Sequence, residues 1–146
     1  MQSGSPFYHF ESKAALLFAV MEQGMRAALR SQAQALQAAA ADRASSQDLL
    51  RTLVRAHFDV LLGPGSDFIP VMLYEWRSLT PAQRADIARL QRDYETAWAD
   101  ALQALYAAGT IRADARVARL MMLGALNWSV QWYKPKQGAS LDELTE

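Results

Sequence analysis

The chain has no cysteine among its 146 residues and no excess of charge of either sign, since 15 basic residues balance 15 acidic ones. The missing thiols exclude disulfides, thiol nucleophiles and cysteine-based metal sites. The zero formal net charge is not typical of a free-standing nucleic-acid-binding domain, which is normally basic. The bulk of the chain is therefore expected to do something other than read DNA.

Long apolar runs are also missing. None approaches the ~20 residues that a membrane-spanning helix needs, and no signal peptide precedes the first predicted helix. We therefore expect a cytoplasmic protein without membrane contacts. Only five prolines and 51% hydrophobic residues argue against disorder, and 146 residues are enough for one domain with a real core.

Period-two alternation is absent as well, and alanine, leucine, glutamine and arginine dominate, so the sequence predicts an all-α fold of about six helices. Ser12 is a suitable N-cap for the first, and Ser45 with Asp48 forms a capping-box pattern before the second. Thr80-Pro81 and Asp114 are typical starts of two later helices. The predicted helices cover residues 12–41, 47–62, 66–78, 81–108, 115–133 and a last short turn after Ser140, with residues 42–46 as a loop.

The fifth predicted helix is apolar on two sides, which requires that both sides be buried. One side could face the domain's own core and the other a partner subunit, or the helix could be surrounded by its own chain. We favour a homodimer. The side assigned to its interface carries Met122, Leu123, Leu126, Val130 and Tyr133. The opposite side carries Val117, Met121, Gly124, Ala125, Trp128 and Trp132.

Two motifs, one at each end of the chain, are similar to a known family. Near the N-terminus, Gly4, Ser5, Phe7, Tyr8, His9, Phe10, Ser12 and Lys13 resemble the end of the recognition helix in TetR-family (tetracycline-repressor) transcriptional regulators. Near the C-terminus, Trp132-Tyr133-Lys134-Pro135, Gly138 and the segment 140–144 resemble a signature of one TetR branch. The resemblance implies that residues 1–11 are a remnant of the helix-turn-helix domain. It also implies that residues 12–146 form a TetR-like ligand-binding domain that dimerises through its two long C-terminal helices.

By the same resemblance, Ser5, Tyr8, His9 and Lys13 would contact backbone phosphates of operator DNA. Hydroxyl, imidazole and ammonium donors beside a helix N-terminus suit such contacts, which position a protein without reading sequence. Alternatively, the neighbouring aromatic residues only seal the seam between two subdomains. The chain by itself is expected to bind DNA poorly.

The resemblance further implies a pocket for a hydrophobic small-molecule effector. Large aromatic residues and flexible methionines suit an irregular apolar ligand, although each alone could be ordinary core. The residues assigned to the pocket are Phe58, Phe68, Met72, Trp76, Trp98, Met121, Asn127, Trp128 and Trp132. Tyr74 and His57 could also orient a ligand, but His57 lies on an apolar stripe and is better explained as a buried histidine with satisfied hydrogen bonds.

These implications describe a repressor that releases operator DNA when it binds an acyl chain, an acyl-CoA-like catabolite or, as second choice, a polyaromatic compound. A ligand-independent helical dimerisation module is the alternative. An enzyme is not expected, because the two histidines are 48 positions apart and no nucleophile motif, phosphate loop or set of metal ligands is visible. No cofactor or metal is expected either.

Overall fold

The computed structural model describes residues 12–146, and in this range it contains six α-helices and no strand. This confirms the predicted all-α fold. No helix within 12–146 is long and apolar enough to cross a membrane. The helices are α1 (Lys13–Ala41), α2 (Ser46–Leu62), α3 (Phe68–Tyr74), α4 (Pro81–Ala107), α5 (Ala115–Trp132) and α6 (Leu141–Thr145).

The helices begin where polar side chains can accept hydrogen bonds from otherwise unpaired backbone N–H groups. The Ser12 hydroxyl accepts from the N–H of Ala15 at 3.1 Å, and Asp114 accepts from the first turn of α5. Ser45, Thr80 and Ser140 each form a reciprocal capping box. Local sequence therefore fixes most helix starts independently of packing.

The segment predicted as one helix over 66–78 differs. Here α3 ends at Tyr74, Glu75 leaves helical geometry with φ −110° and ψ 9°, and Trp76–Ser78 form a single 3-10 turn. The break lets the chain turn so that Leu79 enters the core, where it is 3% exposed, just before α4 begins. Helix propensity alone does not show this requirement, which comes from packing.

The core lies where α1, α2 and α4 pack on one another, with α3 on α1 and α5 on α2 and α4. At its centre Met21, Ile87 and Trp98 are completely buried. Polar contacts also join distant elements. The buried amide of Gln32 donates to the carbonyl oxygen of Tyr94 at 3.1 Å. The guanidinium of Arg55 on α2 donates to a carboxylate oxygen of Asp142 on α6 at 2.7 Å.

The first residue of α3 packs directly on α1. A Cβ added at Gly24 would overlap the ring of Phe68, so the absence of a side chain at Gly24 creates the notch that the ring fills. Phe68 is 6% exposed and joins the hydrophobic core at this point. The close approach fixes the distance between α1 and α3.

We predict that Gly24→Ala destabilises the fold. Alanine gains up to about 1 kcal/mol of helix propensity, but the displaced ring costs about 1–3 kcal/mol. In a Phe68→Leu background the smaller side chain leaves more room, so the same substitution should cost less, with a coupling energy of at least about 0.5 kcal/mol. Urea unfolding of the wild type, the two single variants and the double variant measures this coupling. Free-energy changes that simply add in the double variant would contradict the prediction.

Candidate ligand-binding site

A cavity of about 210 Å³ opens among five helices, α1 to α5. Its walls are mainly apolar and include Met25 on α1, Phe68 and Met72 on α3, and Leu123 and Val130 on α5. Val60 on α2 and Tyr94 on α4 also line it, so every one of these helices contributes. A mostly apolar cavity with few polar groups is the usual form of a small-molecule site. We refer to it below as the cavity.

One side of the cavity carries a line of three hydrogen-bonded polar side chains. His57 on α2 lies between Tyr94 on α4 and Asn127 on α5, with Nδ1 2.8 Å from the tyrosine oxygen and Nε2 2.7 Å from the Asn127 carbonyl oxygen. That amide oxygen only accepts, so Nε2 carries the proton and donates. Nδ1 of the neutral ring then accepts from the Tyr94 hydroxyl.

Burial keeps this polar line uncharged. His57 is 6% exposed, and desolvation lowers its pKa, opposed in part by the hydrogen bond to Asn127. Burial likewise raises the pKa of the Tyr94 hydroxyl. The rings of His57 and Trp98 also pack against each other at nearly a right angle, 80°, with their centroids 5.7 Å apart. At neutral pH the line therefore offers hydrogen bonds without charge.

The charge near the cavity is also balanced. Glu95 lines it one turn from Gln91, and a Glu95 carboxylate oxygen lies 3.7 Å from Nε of Arg119. No lysine or arginine is among the cavity-lining residues in the described range. The cavity therefore suits an uncharged apolar group with a hydrogen-bonding function better than a free carboxylate.

Three of the residues that the sequence assigns to a pocket line this cavity, namely Phe68, Met72 and Asn127. Two others lie in the core without lining it, since Phe58 is 4% exposed and Trp98 is completely buried. Trp76 packs partly buried against the core. Met121, Trp128 and Trp132 are 71%, 65% and 51% exposed on the outside of α5 and are not near the cavity.

The two apolar faces of α5 are consequently placed the other way round from the expectation. Met122, Leu123 and Leu126, assigned from the sequence to a dimer interface, pack against the core, Val130 lines the cavity and Tyr133 is half-buried. The outward face of α5 consists of Val117, Leu120, Met121, Trp128 and Trp132, all exposed. Helical periodicity separates two faces, but only packing on α2 and α4 decides which one turns inward.

The sequence predicted that His57 is buried with its hydrogen bonds satisfied, as the structure shows. It did not predict that His57 lies on the wall of the cavity. It did not single out Tyr94 as a site residue, because this tyrosine lies on an ordinary core stripe of α4. Tyr74, considered as an orienting group, is 73% exposed and lies off the cavity. The 70 positions between His57 and Asn127 left no local signal for their contact.

Of the residues assigned to DNA contact, Ser5, Tyr8 and His9 lie outside the described residues. Lys13 is the first residue of α1, and its side chain is 63% exposed. Its ammonium nitrogen lies 3.8 Å from a carboxylate oxygen of Glu75. An exposed pair of this kind contributes little to stability and leaves the ammonium accessible.

We predict that stability falls on acidification through His57. Its pKa is depressed in the folded state, so the unfolded chain binds the extra proton first. The stability that the neutral His57 ring contributes is therefore fully present above about pH 6.5. It is lost as pH falls towards the folded-state pKa, and the free energy of unfolding then decreases by at most about 1.4 kcal/mol per pH unit.

Urea unfolding between pH 7.5 and 5.5 tests this against His57→Gln, which replaces the imidazole with an uncharged hydrogen-bonding amide and removes the titration. The other histidine, His9, is the same in both proteins. The lowered pKa values of Asp48 and Glu143 place their protonation below this window. If the free energy of unfolding fell equally with pH in the wild type and in His57→Gln, the prediction would be contradicted.

Comparison with known proteins gives the family. The model of the family described as tetracyclin repressor-like, C-terminal domain, matches residues 43–146. No curated protein sequence is significantly similar to the chain.

Among solved structures, the superantigen PfiT is 32% identical with a TM-score of 0.82, over 99% of this chain and 75% of that one. AibR, solved in complex with isovaleryl coenzyme A and operator DNA, is 26% identical with a TM-score of 0.80, over 95% of this chain and 74% of that one. A TetR/AcrR-family transcriptional regulator from Thermobifida fusca YX-ER1 is 26% identical with a TM-score of 0.71, over 95% and 72%. The chain therefore belongs to the TetR family of transcriptional regulators, and residues 43–146 are its tetracyclin repressor-like C-terminal domain.

Proposed function

We propose that residues 12–146 are the effector-binding and dimerisation domain of a transcriptional repressor, and that the cavity binds a small hydrophobic effector. An acyl group, free or as a coenzyme A thioester, is the favoured ligand. The observation that carries this proposal is an apolar cavity of about 210 Å³ with one uncharged polar line along its wall. The similarity to AibR, whose structure contains isovaleryl coenzyme A, supports the choice of ligand.

The size of the cavity limits what it holds. A cavity of roughly 150 Å³ holds benzene, so about 210 Å³ accommodates about eight non-hydrogen atoms by the same ratio. A short acyl group fits, and a coenzyme moiety would remain outside. The amide N–H groups of Asn127 have no hydrogen-bond partner among the described side chains and are the donors that we assign to the thioester carbonyl.

The route from the cavity to DNA runs through α1. An effector that fills the cavity presses on Phe68, which is seated in the notch at Gly24. α1 begins at Lys13, and the other proposed phosphate contacts, Ser5, Tyr8 and His9, precede it in the sequence within residues 1–11. We propose that the effector favours a state in which the two recognition helices no longer match the half-site spacing, so that the cytoplasmic repressor leaves its operator.

The homodimer is proposed to form through the outward face of α5. Five apolar residues project from it, with Met121 71% and Trp128 65% exposed. A cluster of large exposed apolar residues on one helix is typical of a protein interface. Tyr106, near the end of α4, is a further large apolar residue with substantial exposure, 43%, on the other long C-terminal helix.

The exposed face of α5 by itself also favours the second candidate, a dimerisation module that needs no ligand. An enzyme is not proposed, because burial raises the pKa of the Tyr94 hydroxyl that donates to His57 and so disfavours its nucleophilic, ionised form, and the other partner, Asn127, is an amide.

We predict that isovaleryl coenzyme A or a similar short acyl-CoA raises the Tm of the protein and that coenzyme A alone does not. At a ligand concentration 100 times Kd the stabilisation should reach about 2.7 kcal/mol. Met72→Trp should abolish the shift by filling the cavity, whereas Gln34→Trp, which adds the same side chain on the exposed surface of α1, should retain it. A thermal unfolding series measures this. A shift that survives in Met72→Trp would place the ligand elsewhere.

We also predict a dimer that depends on the outward face of α5. Sedimentation equilibrium should give twice the chain mass for the wild type and the chain mass for the double variant Met121→Glu, Trp128→Glu, because buried unpaired carboxylates are strongly unfavourable. Gln34→Glu on exposed α1 is the matched control and should remain dimeric. A double variant that stays dimeric would exclude this face. A stable dimer without acyl-CoA binding would favour the ligand-independent module.

A further inference from the structure

A second hollow of about 230 Å³ adjoins the cavity. It lies between α1, the end of α2 and the loop that leads to α3. Ala28, Val60 and Phe68 line both spaces, so these three side chains are the wall between them. Phe68 is by far the largest of the three and therefore supplies most of that wall.

The position of Phe68 is closely constrained. Its ring fills the notch at Gly24, it is 6% exposed, and it is the first residue of α3. A ring held in this way stays in place and separates the cavity from the second hollow. Removing it would join the two hollows and roughly double the volume open to a ligand.

The second hollow suits an extended chain. On α1 it is lined by Gly24, Ala27, Ala28 and Ser31, all small residues, which leave a shallow channel along the helix. Its charged lining residue is Asp59, which is already paired with Arg55 at 2.6 Å. An apolar chain end could lie there, whereas a terminal carboxylate would meet the negative charge of Asp59.

We propose that Phe68 sets the upper limit on the length of the effector's acyl chain, by closing the cavity against the second hollow. This inference rests on the proposed function. In the wild type, chains that fill the cavity bind, and longer chains are excluded by the Phe68 ring. A smaller residue at this position opens the channel along α1 and admits them.

The test is the affinity of straight-chain acyl-CoAs from butanoyl to dodecanoyl, measured by calorimetry. In the wild type each added methylene should strengthen binding about three- to four-fold until the cavity is full, at about eight non-hydrogen atoms, after which affinity should fall. In Phe68→Ala the rise should continue for several more methylenes. Phe58→Ala is the matched control, since this phenylalanine is equally buried but lines neither hollow, and it should keep the wild-type limit.

An unchanged chain-length limit in Phe68→Ala would overturn the proposal. Phe68→Leu provides a milder truncation if the alanine variant does not fold, and it should lengthen the preferred chain by a smaller amount. A wild type that binds no acyl-CoA would instead contradict the proposed function. In that case, xenon-pressurised crystals of the Phe68 variant show whether the Phe68 ring separates the two hollows. Xenon sites continuous across both hollows would support the wall, and collapse of Met25 or Met72 into the space would overturn it.

Discussion

The arrangement of α2, α4 and α5 depends on the hydrogen bonds of one buried histidine. His57 is 6% exposed, and an unpaired ring nitrogen at such a site is costly, so both nitrogens must be satisfied from within the protein. Tyr94 and Asn127 do this at 2.8 and 2.7 Å, one from each neighbouring helix. The contacts that hold the three helices in register are therefore also the polar wall of the cavity.

A second constraint joins the cavity to α1. Gly24 has no side chain where the ring of Phe68 must lie, and the ring in turn forms part of the cavity wall. A ligand cannot fill the cavity without contacting this ring, and the ring cannot move without affecting α1 or the second hollow. In a TetR-family protein this geometry gives α1 a direct physical link to whatever occupies the cavity.

The outward face of α5 lies on the other side of the helix from the residues that line the cavity. Its exposed tryptophans and methionine lie on the side of α5 opposite the core, so the proposed ligand cavity and the proposed subunit interface lie on different faces of one helix. Residues on the inner face, such as Leu123 and Val130, touch the cavity while their neighbours outside are free to meet a partner. A helix used in this way can convey a change in the cavity to a subunit interface.

The sequence by itself determined the all-α class, most helix starts and the family, because caps are local and motifs are short. It also marked Phe68, Met72 and Asn127, whose residue types suit a pocket. Only the tertiary structure decided that α5 turns Leu123 inward and Trp128 outward, since periodicity defines faces without assigning their neighbours. It likewise decided the break at Glu75 and the meeting of His57 with Asn127, because both follow from packing between residues that are distant in the chain.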